Sequence, residues 1–161
     1  MRTLVIIRHA KAEGAELGVS DFNRKLTDKG KNDAAKMSSI LYKKSILPQL
    51  LICSTAKRAF QTAAIFAEKY SIEKKEIVKQ NRLYEEFGAG DLKQLLTSVA
   101  QTRGIVFLIG HNPTLADLIG KLTDNFDGHL PTSGIAVINF DIDKWDDLES
   151  LKGEIKLFVS P

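Results

Sequence analysis

Two histidines and two arginines carry the chemistry of this chain. Arg8-His9 closes the apolar run Leu4-Val5-Ile6-Ile7. Arg58 follows the run Leu50-Leu51-Ile52-Cys53 by way of Ser54-Thr55-Ala56-Lys57, and His111 follows Ile105-Val106-Phe107-Leu108-Ile109-Gly110. A neutral imidazole can attack phosphorus and hold the phosphoryl group covalently, which divides one hard displacement into two easier ones. Neighbouring cations favour that neutral form because they disfavour a further positive charge. Guanidinium forks match phosphate oxygens two at a time and keep their charge at any working pH. His9 is therefore the candidate nucleophile, and Arg8 and Arg58 are the candidate clamps. Arg58 also falls in the first turn of a predicted helix, where the N-terminus favours an anion. His111, as an imidazolium or an N–H donor, suits the charge that spreads over equatorial phosphoryl oxygens. Ser54 and Asn112 are candidate phosphate-binding groups beside them. The third histidine, His129 in Asp127-Gly128-His129-Leu130-Pro131, has no such setting and reads as a loop residue.

Bringing these side chains onto one anion requires that their strands lie together. Short apolar runs rich in β-branched residues read as buried strands of a parallel sheet. Ligands of open α/β sheets bind at the carboxyl ends of such strands, where all three runs place their polar tips. Between the runs the spacing predicts helices: Lys29–Lys44 with Thr27 or Asp28 as cap, one after Ser54 carrying Phe60, Ala63, Ala64 and Ala67, one with Leu92, Leu95, Leu96 and Val99, and one with Leu115, Leu118, Ile119 and Leu122. Asn112 is placed to cap the last, with Pro113 at its first position. Ala10–Lys25 is a long polar loop of the kind that usually serves function, and Asn81–Asp91 is a second loop. Glu76–Lys79 predicts a weak edge strand. Thr132–Phe140 and Glu154–Val159 predict a terminal hairpin at the sheet edge, covered by Trp145. The result is a three-layer α/β/α domain over residues 1–161, with a mainly parallel central sheet, an antiparallel edge and right-handed crossovers.

The composition excludes several classes. A net charge of +3 without a stripe of arginines and aromatics gives no footing for nucleic acid. The four-residue apolar run near the start is too short for a signal peptide, and no stretch approaches a membrane span. The single Cys53 lies inside an apolar run, so a reducing, cytoplasmic setting is expected. No His-x-His, Cys-x-x-Cys or His-Glu-x-x-His spacing suggests a metal site, and no Gly-rich fingerprint suggests a nucleotide, so no metal or cofactor is expected.

At these residues the sequence resembles the histidine phosphatase superfamily (phosphoglycerate mutase-like), and within it the small SixA-like phosphohistidine phosphatases. Arg8-His9-Ala10-Lys11-Ala12 is similar to the opening Arg-His-Gly/Ala motif. Arg24-Lys25-Leu26-Thr27 with Gly30 is similar to the Arg-Pro-Leu-Thr-x-x-Gly block, and Ser54-Thr55-Ala56-Lys57-Arg58-Ala59 through Thr62-Ala63 to Ser-Pro-x-x-Arg-Ala-x-x-Thr-Ala. Gly110-His111-Asn112-Pro113 and Thr132-Ser133-Gly134-Ile135-Ala136 resemble two further blocks, in the family's order. Lys25 and Thr55 stand where the family usually has proline. The resemblance implies that His9 becomes phosphorylated and that Arg8, Arg58 and His111 form the phosphate pocket. Larger relatives carry a proton-donating Glu in a turn that Leu83-Tyr84-Glu85 resembles, which makes Glu85 the implied general acid, with Glu86 or Asp91 as substitutes.

The expected activity is metal-independent removal of phosphate from a phosphohistidine on a signalling or phosphotransfer protein. A phosphatase of small phosphomonoesters is the alternative among enzymes, and a non-catalytic phosphoprotein-binding domain the alternative outside them. No second cationic cluster points to a mutase. Nothing in the sequence indicates an oligomeric state.

Overall fold

The computed structural model describes all 161 residues. Six strands form one sheet: β1 (Arg2–Arg8), β2 (Leu50–Ser54), β3 (Val78–Gln80), β4 (Ile105–Gly110), β5 (Ile135–Phe140) and β6 (Glu154–Val159), in the order β3-β2-β4-β1-β5-β6. The pairs β2–β3, β2–β4 and β1–β4 are parallel, whereas β1–β5 and β5–β6 are antiparallel. The strands that end in Ser54, Arg8 and Gly110 are thus neighbours pointing the same way, so three polar tips share one rim. That arrangement follows from the sequence pattern: β1, β2 and β4 are buried on both faces and carry no polar alternation.

Side-chain alternation along each strand feeds two cores. Val5, Ile7, Leu51, Cys53, Phe107 and Ile109 face helices α1 (Asp28–Lys43) and α2 (Lys57–Lys69), which contribute Met37, Leu41 and Phe66. Leu4, Ile6, Ile52, Val106 and Leu108 face α3 (Ala89–Val99) and α4 (Thr114–Leu122), with Leu92, Leu96, Leu118 and Ile119. Period-two strands and period-3.6 helices together make the three layers.

Several boundaries differ from the sequence expectation for identifiable reasons. The loop of residues 10–25 is not featureless: it holds a short 3-10 turn, Asp21–Asn23, and ends in an isolated bridge between Ala12 and Leu26. β5 begins at Ile135 rather than Thr132, because Ser133 takes φ +56 and the Thr132–Gly134 turn instead brackets the end of β1. There the Arg8 N–H donates to Gly134 O, and the Ser133 N–H donates to His9 O. α3 starts three residues before Leu92, on a turn closed by Asp91, whose Oδ2 accepts from the Gly88 N–H at 2.9 Å. Asn112 does not cap α4; its side-chain amide donates to Leu130 O at 2.8 Å, and Pro113 leads directly into the helix. Trp145 is buried in the layer with α3, its indole N–H donating to Arg103 O at 2.9 Å, so it covers that face rather than the β6 edge.

Thr27 caps α1 as its spacing suggests, accepting from the Gly30 N–H at 3.0 Å. Its own N–H donates to Lys11 O, and a Cβ on Gly30 would stand 2.1 Å from that same carbonyl oxygen. The first turn of α1 is therefore pressed against the residues just after His9, a contact that only glycine permits.

Candidate active site

His9 directly follows β1, and its backbone N–H donates to Gly110 O at the neighbouring strand tip. Its Nδ1 lies 2.7 Å from Ala10 O. A carbonyl only accepts, so Nδ1 carries the proton and Nε2 keeps its lone pair. Arg58 agrees with that tautomer, because its Nε–H donates to His9 Nε2 at 3.4 Å. Ala10 is itself anchored: its N–H donates to Thr62 Oγ1 at 3.0 Å, and Thr62 donates to Arg58 O, so β1's tip and α2's first turn are tied together.

The ring of His111 stands 5.1 Å from that of His9, centroid to centroid. Its tautomer is fixed from behind. Ser54 Oγ accepts from the Ala56 N–H at 3.2 Å, and the one acceptor within reach of its own hydrogen is His111 Nε2 at 2.7 Å, so the buried hydroxyl donates there. His111 then carries its proton on Nδ1, a buried nitrogen without a partner in the protein. A buried N–H with nothing to donate to is costly, and such groups concentrate where a ligand supplies the acceptor. Ser54 is fully buried, and its hydroxyl is engaged with His111.

Arg8 donates through Nη1 to Leu130 O at 3.0 Å, while its Nε is buried and unpaired. It has no carboxylate partner and acts electrostatically on both imidazoles. Arg58, only 6% exposed, is paired with Asp21, an interaction the sequence did not announce. Asp21 Oδ1 accepts from Arg24 Nε and Nη2 at 3.0 and 2.7 Å, and its Oδ2 accepts from Arg58 Nη2 and the Tyr84 hydroxyl at 3.1 and 2.9 Å. Tyr84 sets its ring edge against His111 at 5.7 Å and against Phe22 at 5.2 Å. Asp21, Arg24 and Tyr84 thus join the cluster. Arg24 stands in a motif block without a role being legible there, and Asp21 three residues before it was the one available signal: opposite charges in a loop with no helix to explain them.

The implied proton donors separate. Glu85 is exposed on the turn after Tyr84, and its Oε1 accepts from Asn81, which in turn accepts from Thr55 at the tip of β2. Glu86 is exposed beside it. Asp91 is committed to Gly88 and to Arg82, and the Gly88 N–H followed by the Arg82 contact holds its carboxyl below the usual range, so it is a poor acid. His129 lies in an exposed loop, as expected. Asn112 stands next to His111 with its Oδ1 buried and unpaired.

Electrostatics suit nucleophilic work. Burial lowers the His9 imidazole to about 4, with Arg58, Arg8 and Arg24 pushing the same way against the bond to Ala10 O. Burial, then His9 and Arg58, lower His111 to about 3. Free imidazoles protonate near ~6.5, so between about pH 6.5 and 4 the unfolded chain binds protons that the folded one refuses. Stability therefore rises with pH through that window and is lost on acidification. Asp21, held at about 2 first by Arg24 and then by Tyr84 and Arg58, adds a loss only below about pH 4. Urea unfolding should give a smaller free energy at pH 5 than at pH 7, and a His9→Asn/His111→Asn variant should show a flatter dependence. An equal slope in both proteins would contradict neutral, buried imidazoles.

No group of three or more His, Cys, Asp or Glu side chains is arranged to hold a metal ion. No helix is long and apolar enough to cross a membrane. A cavity of about 700 Å³ opens at the β6 edge, between Thr123–Asp127 and Lys152–Ile155, and includes none of the residues around His9.

Residues 4–104 match the family model of the histidine phosphatase superfamily (branch 1), and the chain belongs to that superfamily. The fold is that of a candidate phosphohistidine phosphatase SixA from Nakamurella multipartitia, with TM-score 0.85 and 26% identity over 99% of this chain and 96% of that one. A second candidate SixA, from Agrobacterium tumefaciens, aligns with TM-score 0.81 and 25% identity over 99% of both chains. Phosphoglycerate mutase 1 of Saccharomyces cerevisiae is 38% identical over 71 residues, 43% of this chain. The chain spans only 28% and 29% of the lengths of the curated relatives it matches.

Proposed function

We propose that this protein is a metal-independent phosphatase working through a phosphohistidine on His9, and that its substrate is a phosphohistidine of a signalling or phosphotransfer protein. The observation that carries the reading is the convergence at His9 Nε2, an unprotonated nitrogen whose one partner is the long 3.4 Å contact from Arg58 Nε–H, with the His111 ring alongside. Nε2 attacks phosphorus while the bond from phosphorus to the leaving atom breaks. Arg8, Arg58 and the Nδ1–H of His111 hold the equatorial oxygens as charge moves onto them. Water then attacks phospho-His9, phosphate leaves, and Nε2 regains its lone pair. In this scheme Ser54 acts through His111, and Asn112 adjoins the phosphate pocket.

Two features favour a protein-borne substrate. The connections from β2 to α2 and from β4 to α4 are only two and three residues long (Thr55-Ala56 and His111–Pro113), so on that side the site is bordered by tight turns that leave room for a protein-borne group, the loop of residues 10–25 bordering it on the other. A phosphohistidine also leaves as an imidazole of intrinsic pKa about 6.5, which needs far less protonation than an alkoxide. Turnover of p-nitrophenyl phosphate in EDTA tests for an enzyme against a phosphoprotein-binding domain, and assay against phosphorylated histidine proteins tests the substrate.

The second reading, a phosphatase of small phosphomonoesters, draws support from Glu85, held by Asn81 next to Tyr84. Glu85→Gln should then lower phosphomonoester turnover by about 10²-fold while leaving phosphohistidine turnover within about threefold. Equal losses on the two substrates would remove Glu85 as the proton donor that separates them.

A further inference from the structure

Arg58 has two hydrogen-bonding edges, and the protein uses them differently. The terminal edge is closed by a single residue: Nη1 donates to the backbone oxygen of Asp21 at 2.7 Å, and Nη2 donates to Asp21 Oδ2 at 3.1 Å. The other edge, formed by Nε–H and the remaining hydrogen of Nη2, faces His9. Because a guanidinium is planar, fixing its two terminal nitrogens fixes where the Nε edge points.

We propose that Asp21 is a positioning residue for phosphoryl transfer: it grips the terminal edge of Arg58, so that the Nε edge forms a two-pronged clamp for oxygens of a phosphoryl group at His9 Nε2. This rests on the reading of His9 and Arg58 as the phosphoryl site. Asp21 is itself restrained from two sides, since Arg24 takes Oδ1 and the Tyr84 hydroxyl takes Oδ2. Arg24 is anchored in turn by donating to Glu13 O at 2.8 Å. The long loop after His9 therefore returns to the site to supply the second wall of the Arg58 clamp, which accounts for its length.

The pairing also answers an electrostatic need. Arg58 is a buried cation, and a buried charge is stable only when paired and hydrogen-bonded. Asp21 supplies that partner without occupying the edge a phosphoryl group would use. Arg8, by contrast, has no carboxylate and keeps its full attraction for the anion. One clamp is oriented by a carboxylate, the other is left electrostatically open.

The test is a double-mutant cycle on the full chain. kcat/KM for p-nitrophenyl phosphate is measured from pH 5 to 9, together with the Kd of inorganic phosphate and thermal unfolding, for wild type, Asp21→Asn, Arg58→Lys and the double variant. Asp21→Asn should lower kcat/KM by about tenfold or more in the presence of Arg58, and by less than about twofold in the Arg58→Lys background. The loss should be constant across the pH range, since Asp21 holds an edge and moves no proton. Tyr84→Phe, which removes one bond to Asp21 and leaves the fold its ring contacts, should cost about threefold and vanish in the same background; it carries the cycle should Asp21→Asn fail to fold. Equal losses with and without Arg58, or a loss that changes with pH, would overturn the role of Asp21 while leaving the phosphatase intact. A wild-type protein that neither turns over nor binds phosphate would overturn both.

Discussion

His9→Ala is expected to lower phosphatase turnover by at least about 10³-fold, the largest effect of any single substitution. The reason is that no other atom in the cluster can replace Nε2. His111 is 5.1 Å away, but its Nε2 is engaged by the Ser54 hydroxyl and its Nδ1 carries the proton, so it offers no lone pair. Ser54 is fully buried behind it, and Cys53 faces the core with its thiol pushed up to about 12 by burial. Wild-type protein given a labelled phosphoryl donor should acquire acid-labile label, and His9→Ala should acquire none. The His9 ring makes one hydrogen bond within its own segment, to Ala10 O, so thermal unfolding should stay close to wild type. His9→Asn provides a polar side chain of smaller size as a control for packing. Residual turnover within tenfold of wild type would show that the nucleophile lies elsewhere.

The strand tips were legible because their physics is local. An apolar run of four to six residues that ends on Arg-His or Gly-His has one consistent reading, and the order β2-β4-β1 places those ends side by side. Thr27 as the cap of α1 was readable for the same reason. What the chain did not disclose is contact made across the sequence. Asp21 meets Arg58 37 positions away, and Tyr84 meets Asp21 63 positions away, both from loops without periodicity. Asn112 shows the opposite failure. Its local chemistry fits a helix cap, yet Leu130 O lies within reach and takes its amide, so a tertiary contact overrides the local preference. Asp91 errs in the same way: a free loop carboxylate by sequence, it is consumed by the start of α3 and by Arg82. Ser54 was legible by its place at a strand tip, whereas its bonds to the Ala56 N–H and to His111 Nε2 are visible only in the coordinates.

His111→Ala should reduce kcat by about 10²–10³-fold, the usual cost of removing one preorganised donor to a developing oxyanion. The argument runs through the proton. The Ala56 N–H fills one acceptor site of Ser54 Oγ, the Ser54 hydroxyl fills His111 Nε2, and the proton is left on Nδ1. That N–H has no acceptor in the protein, so it is ready for a phosphoryl oxygen without prior rearrangement. Burial keeps the ring neutral down to about pH 3, which makes His111 a dipolar donor rather than a third fixed cation. Ser54→Ala should then act through the ring: with Nε2 released, the imidazole can hold its proton on either nitrogen, and kcat should fall by about tenfold, less than for His111→Ala. In the His111→Ala background the Ser54→Ala change should cost nothing further. Single-turnover kinetics distinguish the steps, since both phosphorylation of His9 and hydrolysis of phospho-His9 pass through the same equatorial charge and both should slow. A Ser54→Ala loss that persists without His111 would place the serine hydroxyl on the phosphoryl group itself and break the relay from backbone to imidazole.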